Sequence, residues 1–137
     1  MDGAKNDKLH RLWDQKEILI VDDDEAVRDL ISFELEEEYT ITTADNAEEC
    51  LAILEDEATP TPELITLDLM MPGLNGIELL KQLKADPRFA DIPVVILSSV
   101  DQEDEVVTAL DAGAADFIKK PFSMKELTAR IKRNIEH

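Results

Sequence analysis

Five side chains in this sequence have the types and placement to do chemistry together: Asp22, Asp23, Asp68, Ser98 and Lys120. Each stands at the end of a short run that reads as a strand. Ile18-Leu19-Ile20-Val21 runs into Asp22-Asp23-Asp24, and Leu64-Ile65-Thr66-Leu67 into Asp68-Leu69-Met70-Met71-Pro72-Gly73. Val94-Val95-Ile96-Leu97 ends in Ser98, and Asp116-Phe117-Ile118-Lys119 in Lys120-Pro121. If the runs are parallel strands, all five residues lie along the carboxyl edge of one sheet, where open α/β sheets bind their ligands. Three carboxylates brought together repel and raise one another's pKa, and a divalent cation relieves that repulsion. Oxygen donors without His or Cys beside them point to Mg²⁺, which keeps several waters and prefers to share a phosphate. A cation, a carboxylate nucleophile, a hydroxyl donor and a lysine are the components of phosphoryl transfer to aspartate. On this reading Asp68 attacks phosphorus, and Asp23 and Asp68 hold the metal with help from Asp22. Lys120 pairs with a phosphoryl oxygen as a point charge, and Ser98 donates to another.

Taken singly, each position has an ordinary explanation. An Asp after a strand is often a turn former or helix cap, and Asp24 is expected to cap the helix that follows it. A Ser at a strand end or a lone Lys-Pro says little. The weight lies in all five falling at the ends of alternating strands.

The elements that must position them are legible in the periodicity. After the first strand, Val27, Leu30, Ile31 and Leu35 mark a helix over Glu25–Glu37. Tyr39–Thr43 is a β-branched strand, and Ala47, Cys50, Leu51 and Leu54 mark a second helix. Cys50 then reads as a small core residue rather than a reactive thiol. A third helix starts near Asn75-Gly76 and stops before Pro87. A fourth carries Val106, Val107 and Leu110, with Asp101 as its expected cap and Gly113 as its stop. Ser123–Glu136 closes the chain as a fifth, with Leu127, Ile131 and Ile135 inward. Strand and helix alternate five times, which implies a parallel sheet with right-handed crossovers and helices on both faces. Residues 1–16 read as a polar N-terminal arm with Leu9, Leu12 and Trp13 at helical spacing, and residues 17–137 as one domain.

Composition narrows the partners. The formal net charge of −18 argues against direct binding to nucleic acid or an anionic membrane. The single cysteine rules out an internal disulfide, and neither a signal-peptide pattern nor an apolar run of about 18 residues occurs. A cytoplasmic protein is expected.

The chain resembles the receiver domain of two-component response regulators, including the chemotaxis-regulator type. The resemblance is carried by Ile18-Leu19-Ile20-Val21-Asp22-Asp23-Asp24, by Leu67-Asp68-Leu69-Met70-Met71-Pro72-Gly73-Leu74-Asn75-Gly76, by Ala112-Gly113-Ala114 and by Lys120-Pro121-Phe122, from about Glu17 to the C-terminus. It implies a doubly wound (βα)5 flavodoxin-like fold with strand order 2-1-3-4-5. It further implies that Asp68 is the phosphoacceptor, that Asp22 and Asp23 are the acidic pair, and that the Met70 backbone carbonyl is a third protein ligand to Mg²⁺. Ser98 stands at the family's switch hydroxyl, Phe117 at its switch aromatic and Lys120 at its lysine, with a cis Lys120-Pro121 bond expected. The implied phosphodonor is a histidine kinase, a phosphotransfer protein or a small phosphate compound. The implied readout is a changed surface on the fourth helix, fifth strand and fifth helix, for an output partner or an effector domain. Met70 and Val100 flank the route to the acyl phosphate in this family, and because both are apolar here, slow dephosphorylation is expected.

Other classes fit less well. A haloacid-dehalogenase-type hydrolase needs a second acid two residues after its nucleophile, where this chain has Met70. A flavin-binding protein needs a phosphate cradle after the first strand, where this chain has three aspartates. A degenerate receiver acting only as a docking or dimerisation module is the remaining alternative. Acidic residues on the fourth helix (Glu103, Asp104, Glu105, Asp111) and basic ones on the fifth (Lys125, Arg130, Lys132, Arg133) are compatible with a homodimer, although solvated charge is the preferred reading.

Overall fold

In a computed structural model, residues 15–70, 75–99 and 102–135 are described. The elements are β1 (Lys16–Val21), α1 (Glu25–Leu35), β2 (Tyr39–Ala44), α2 (Ala47–Glu55), β3 (Leu64–Leu67), α3 (Gly76–Ala85), β4 (Val94–Ser98), α4 (Glu103–Asp111), β5 (Asp116–Lys119) and α5 (Met124–Ile135). The strands form one parallel sheet in the order β2-β1-β3-β4-β5. Expected and observed topology agree.

The all-apolar strands are explained by a core on each face. Leu19 and Val21 of β1, Ile65 and Leu67 of β3, and Val94 and Ile96 of β4 pack with Cys50 of α2, Leu79, Leu80 and Leu83 of α3, and Ala109 of α4. The alternate residues Ile18, Ile20, Leu64, Val95 and Leu97 pack with Ile31 and Leu35 of α1 and Leu127 and Ile131 of α5. Successive strand side chains point to opposite faces, so a strand covered on both sides must be apolar throughout. Cys50 is fully buried, and burial pushes its thiol up to about 12, so it stays protonated and inert at neutral pH.

Caps set the helix starts. Asp24 accepts from Ala26 N–H at 2.9 Å and Asn75 from Glu78 N–H at 2.9 Å. At α4 the cap position falls on Gln102, whose side chain makes no capping bond, so the expectation of an Asp101 cap is displaced by one residue. Asp101 itself lies outside the described residues. Gly113 ends α4 with a φ of 108° that side-chain-bearing residues rarely adopt.

Thr66 is the exception to the apolar rule in β3. It is 1% exposed, and its Oγ1 finds no hydrogen-bond partner among the described residues. A buried unmet hydroxyl costs about 1–3 kcal/mol. Thr66→Val, which keeps the shape and removes the hydroxyl, should therefore stabilise the fold by about 1 kcal/mol. Urea unfolding should show a higher midpoint with unchanged slope. A lower midpoint would show that the hydroxyl has a partner, such as a buried water.

Candidate functional site

The carboxyl ends of β1, β3 and β5 bring three of the expected groups into direct contact. Lys120 Nζ lies 2.7 Å from Asp22 Oδ2 and 3.1 Å from Asp68 Oδ2, bridging the two carboxylates. Asp22 and Asp68 are almost fully buried, and Asp23 stands at the solvent side. One oxygen from each of Asp22, Asp23 and Asp68 can be chosen so that all three lie within 4.8 Å of one another. Local hydrogen bonds hold the buried pair. Asp22 Oδ1 accepts from Asp24 N–H at 2.9 Å, and Asp68 Oδ1 from Met70 N–H at 2.9 Å.

The electrostatics follow from burial and crowding. Burial raises the Asp68 carboxyl above its ordinary range, and the neighbouring Asp22 adds to the effect; the Met70 N–H and Lys120 oppose it without cancelling it. Burial alone would lower Lys120, but the two carboxylates outweigh it, and the ammonium is held charged beyond its usual range. Ionised, three carboxylates against one ammonium leave two negative charges uncompensated, which is the charge of one divalent cation. The donors are all oxygens, one is solvent-accessible, and among the described residues no His or Cys intrudes, a set suited to Mg²⁺ with several of its waters retained.

Ser98 closes β4 fully buried, and its carbonyl accepts Lys120 N–H at 2.9 Å, so the β4 and β5 ends are tied where the lysine departs. The Lys120-Pro121 peptide is cis. Phe117, paired with Ile96, is half-buried against the core on the α2–α3–α4 side. Met70 projects an exposed side chain beside Asp68. Val100 and Met71–Leu74 lie outside the described residues.

Two contributors were not singled out from sequence. Arg28 donates Nη1 to the Asp22 carbonyl at 2.7 Å; its only sequence signal is a cation following a run of acids. Gly76 packs against the backbone of Asp68 and Leu69, a contact that its sequence signal, the Asn75-Gly76 helix start, does not reveal.

Residues 18–132 match the model of the response regulator receiver domain. The chain belongs to that family. The receiver is 43% identical over 118 residues to the phosphate regulon transcriptional regulatory protein PhoB of Pseudomonas aeruginosa, an alignment covering 85% of this chain and 50% of PhoB. It spans about half the length of the curated relatives it matches. Among solved structures, a BeF3-activated DrrB receiver domain superposes with a TM-score of 0.80 at 27% identity, covering 90% of this chain and 99% of that one. The Mn(2+)-bound form of response regulator Rcp1 gives 0.75 at 29% identity, with 86% and 90% covered. The chain is thus a receiver domain of the two-component response regulator type, and none of its described helices is long and apolar enough to cross a membrane.

Proposed function

We propose that this receiver is a phosphorylation-dependent switch in which Asp68 accepts a phosphoryl group with Mg²⁺ bound beside it, the signalling unit spanning residues 17–137. The observation that carries the proposal is the Asp22–Lys120–Asp68 bridge with Asp23 at its open side. Asp22, Asp23, Asp68 and the Met70 carbonyl would hold the cation, which when bound neutralises charge on the phosphoryl oxygens. The BeF3-activated DrrB receiver domain and the Mn(2+)-bound form of response regulator Rcp1 support this chemistry.

Asp68 attacks the phosphorus of a histidine kinase, phosphotransfer protein or small acyl phosphate, and the bond to the leaving group breaks as the aspartyl phosphate forms. Lys120 is then free to leave the Asp68 carboxylate for a phosphoryl oxygen, and Ser98 turns its hydroxyl to a second. Phe117 moves inward behind Ser98, and the surface of α4, β5 and α5 changes for an output partner, an effector domain or a second copy. Most of the basic residues on α5 named above already have intrachain partners: Arg130 and Arg133 bind Asp116 of β5, and Lys132 lies near Glu38. The receiver assists its own phosphorylation without turning over a substrate, and we place it in the cytoplasm. A degenerate docking module would not require this complete set of acids, hydroxyl and lysine.

Incubation with acetyl phosphate should add one phosphoryl group, seen as an intact-mass increment, only when Mg²⁺ is present. Equal uptake in excess chelator would refute the cation's part. The exposed, apolar Met70 offers no group to orient an attacking water, so the phosphorylated form should persist. Met70→Asn should shorten its lifetime several-fold, and an unchanged lifetime would remove Met70 from the account.

A further inference from the structure

We propose that Arg28 is a positioning residue for the cation site, holding the Asp22–Asp23 peptide so that the Asp23 carboxylate stays beside Asp22 and Asp68. This rests on the cation reading above and adds a residue that would set the affinity.

Asp22 is fixed at every polar group. Its N–H donates to Ala44 O at 3.1 Å, its Oδ1 accepts from Asp24 N–H, and its Oδ2 meets Lys120. Its carbonyl lies just past the β1 ladder, which ends at Val21, and among the described residues no neighbouring strand takes it. Arg28 takes it at 2.7 Å. The carbonyl of Asp22 and the N–H of Asp23 belong to one planar unit, so fixing the carbonyl fixes the direction in which Asp23 leaves the strand. Asp23 is the exposed member of the trio, and the peptide before it is its tether.

The placement of the guanidinium is itself informative. Arg28 sits in the first turns of α1, its own N–H bonded to Asp24 O at 3.1 Å, where the helix dipole disfavours a cation. Helical side chains lean toward the N-terminus, and this one runs back to the strand end rather than out to solvent. Groups that orient metal ligands from behind typically change affinity about 10- to 100-fold when removed.

Charge and positioning make opposite forecasts. Removing a positive charge beside a cation site should tighten binding, whereas releasing the Asp22–Asp23 peptide should weaken it. The test is Mn²⁺ binding to the unphosphorylated chain, followed by electron paramagnetic resonance, for wild type, Arg28→Met and Arg28→Lys, at a temperature where melting curves show each folded. Arg28→Met should bind about tenfold more weakly, and Arg28→Lys, which keeps a single donor, should fall between it and wild type. Equal or tighter binding by Arg28→Met would overturn the proposal. If that variant does not fold, Arg28→Lys decides: weaker binding supports positioning, and equal or tighter binding overturns it. Absence of Mn²⁺ binding by the wild type would overturn the cation reading as well, so the two failures are distinguishable.

Discussion

Asp68→Asn will show no detectable phosphoryl uptake from acetyl phosphate while remaining folded. The substitution keeps an oxygen to accept the Met70 N–H, which now meets Asp68 Oδ1 at 2.9 Å, and removes only the nucleophilic carboxylate. Fold stability should hold or improve, and the sign follows from the pKa. Burial raises the folded-state value of Asp68, so the folded chain holds that proton more tightly than the unfolded chain. Ionised Asp68 therefore costs stability, and the cost grows as pH rises from the ordinary carboxylate value through the raised one. A neutral amide carries no such cost, although Lys120 loses one of its two carboxylate partners. Intact-mass spectrometry and a melting curve check both halves. Labelling of the variant equal to wild type would remove Asp68 as the acceptor.

Gly76→Ala should destabilise the receiver by about 2–3 kcal/mol, a fall of roughly 10 °C in melting temperature. Helix propensity alone forecasts the reverse, because Ala is better than Gly within a helix by about 1 kcal/mol. The reason is contact rather than conformation. A Cβ at Gly76 would lie 2.5 Å from Leu69 Cα and 2.6 Å from Asp68 O, both backbone atoms that cannot rotate aside. The Gly76 N–H also donates to Leu69 O at 3.1 Å, so α3 is fastened to the segment it would collide with. Relief requires shifting either α3 or the peptide after Asp68, and phosphoryl uptake should fall along with stability. A variant as stable as wild type would show that the approach is looser than the structure has it.

These two positions mark how far the sequence could be read. Asp68 was legible because its neighbours alternate between two apolar cores, which makes a carboxylate at the strand end conspicuous, and because the strand order brings Asp22 and Lys120 to the same edge. The helix starts at Asp24 and Asn75 were legible because capping is local chemistry. Gly76 was legible only as the start of the third helix and the end of a family motif, since its clash partners belong to a segment whose path the fold decides. Arg28 was missed for a similar reason: spacing places it on α1, but only the helix's packing against the end of β1 aims it at the Asp22 carbonyl. The Asp101 cap was displaced to Gln102 because where α4 starts depends on the loop after β4 as well as on the local residue type.

On the proposed function, the acidic trio and Lys120 form a cation-dependent phosphoryl site coupled to Phe117. The most direct measurement is beryllofluoride titration followed by amide NMR, with and without Mg²⁺. With Mg²⁺, saturable shifts should appear at Asp68, Ser98 and Lys120 and extend to Phe117; without it, they should be absent. Shifts of equal size in the absence of Mg²⁺, or none in its presence, would contradict the claim.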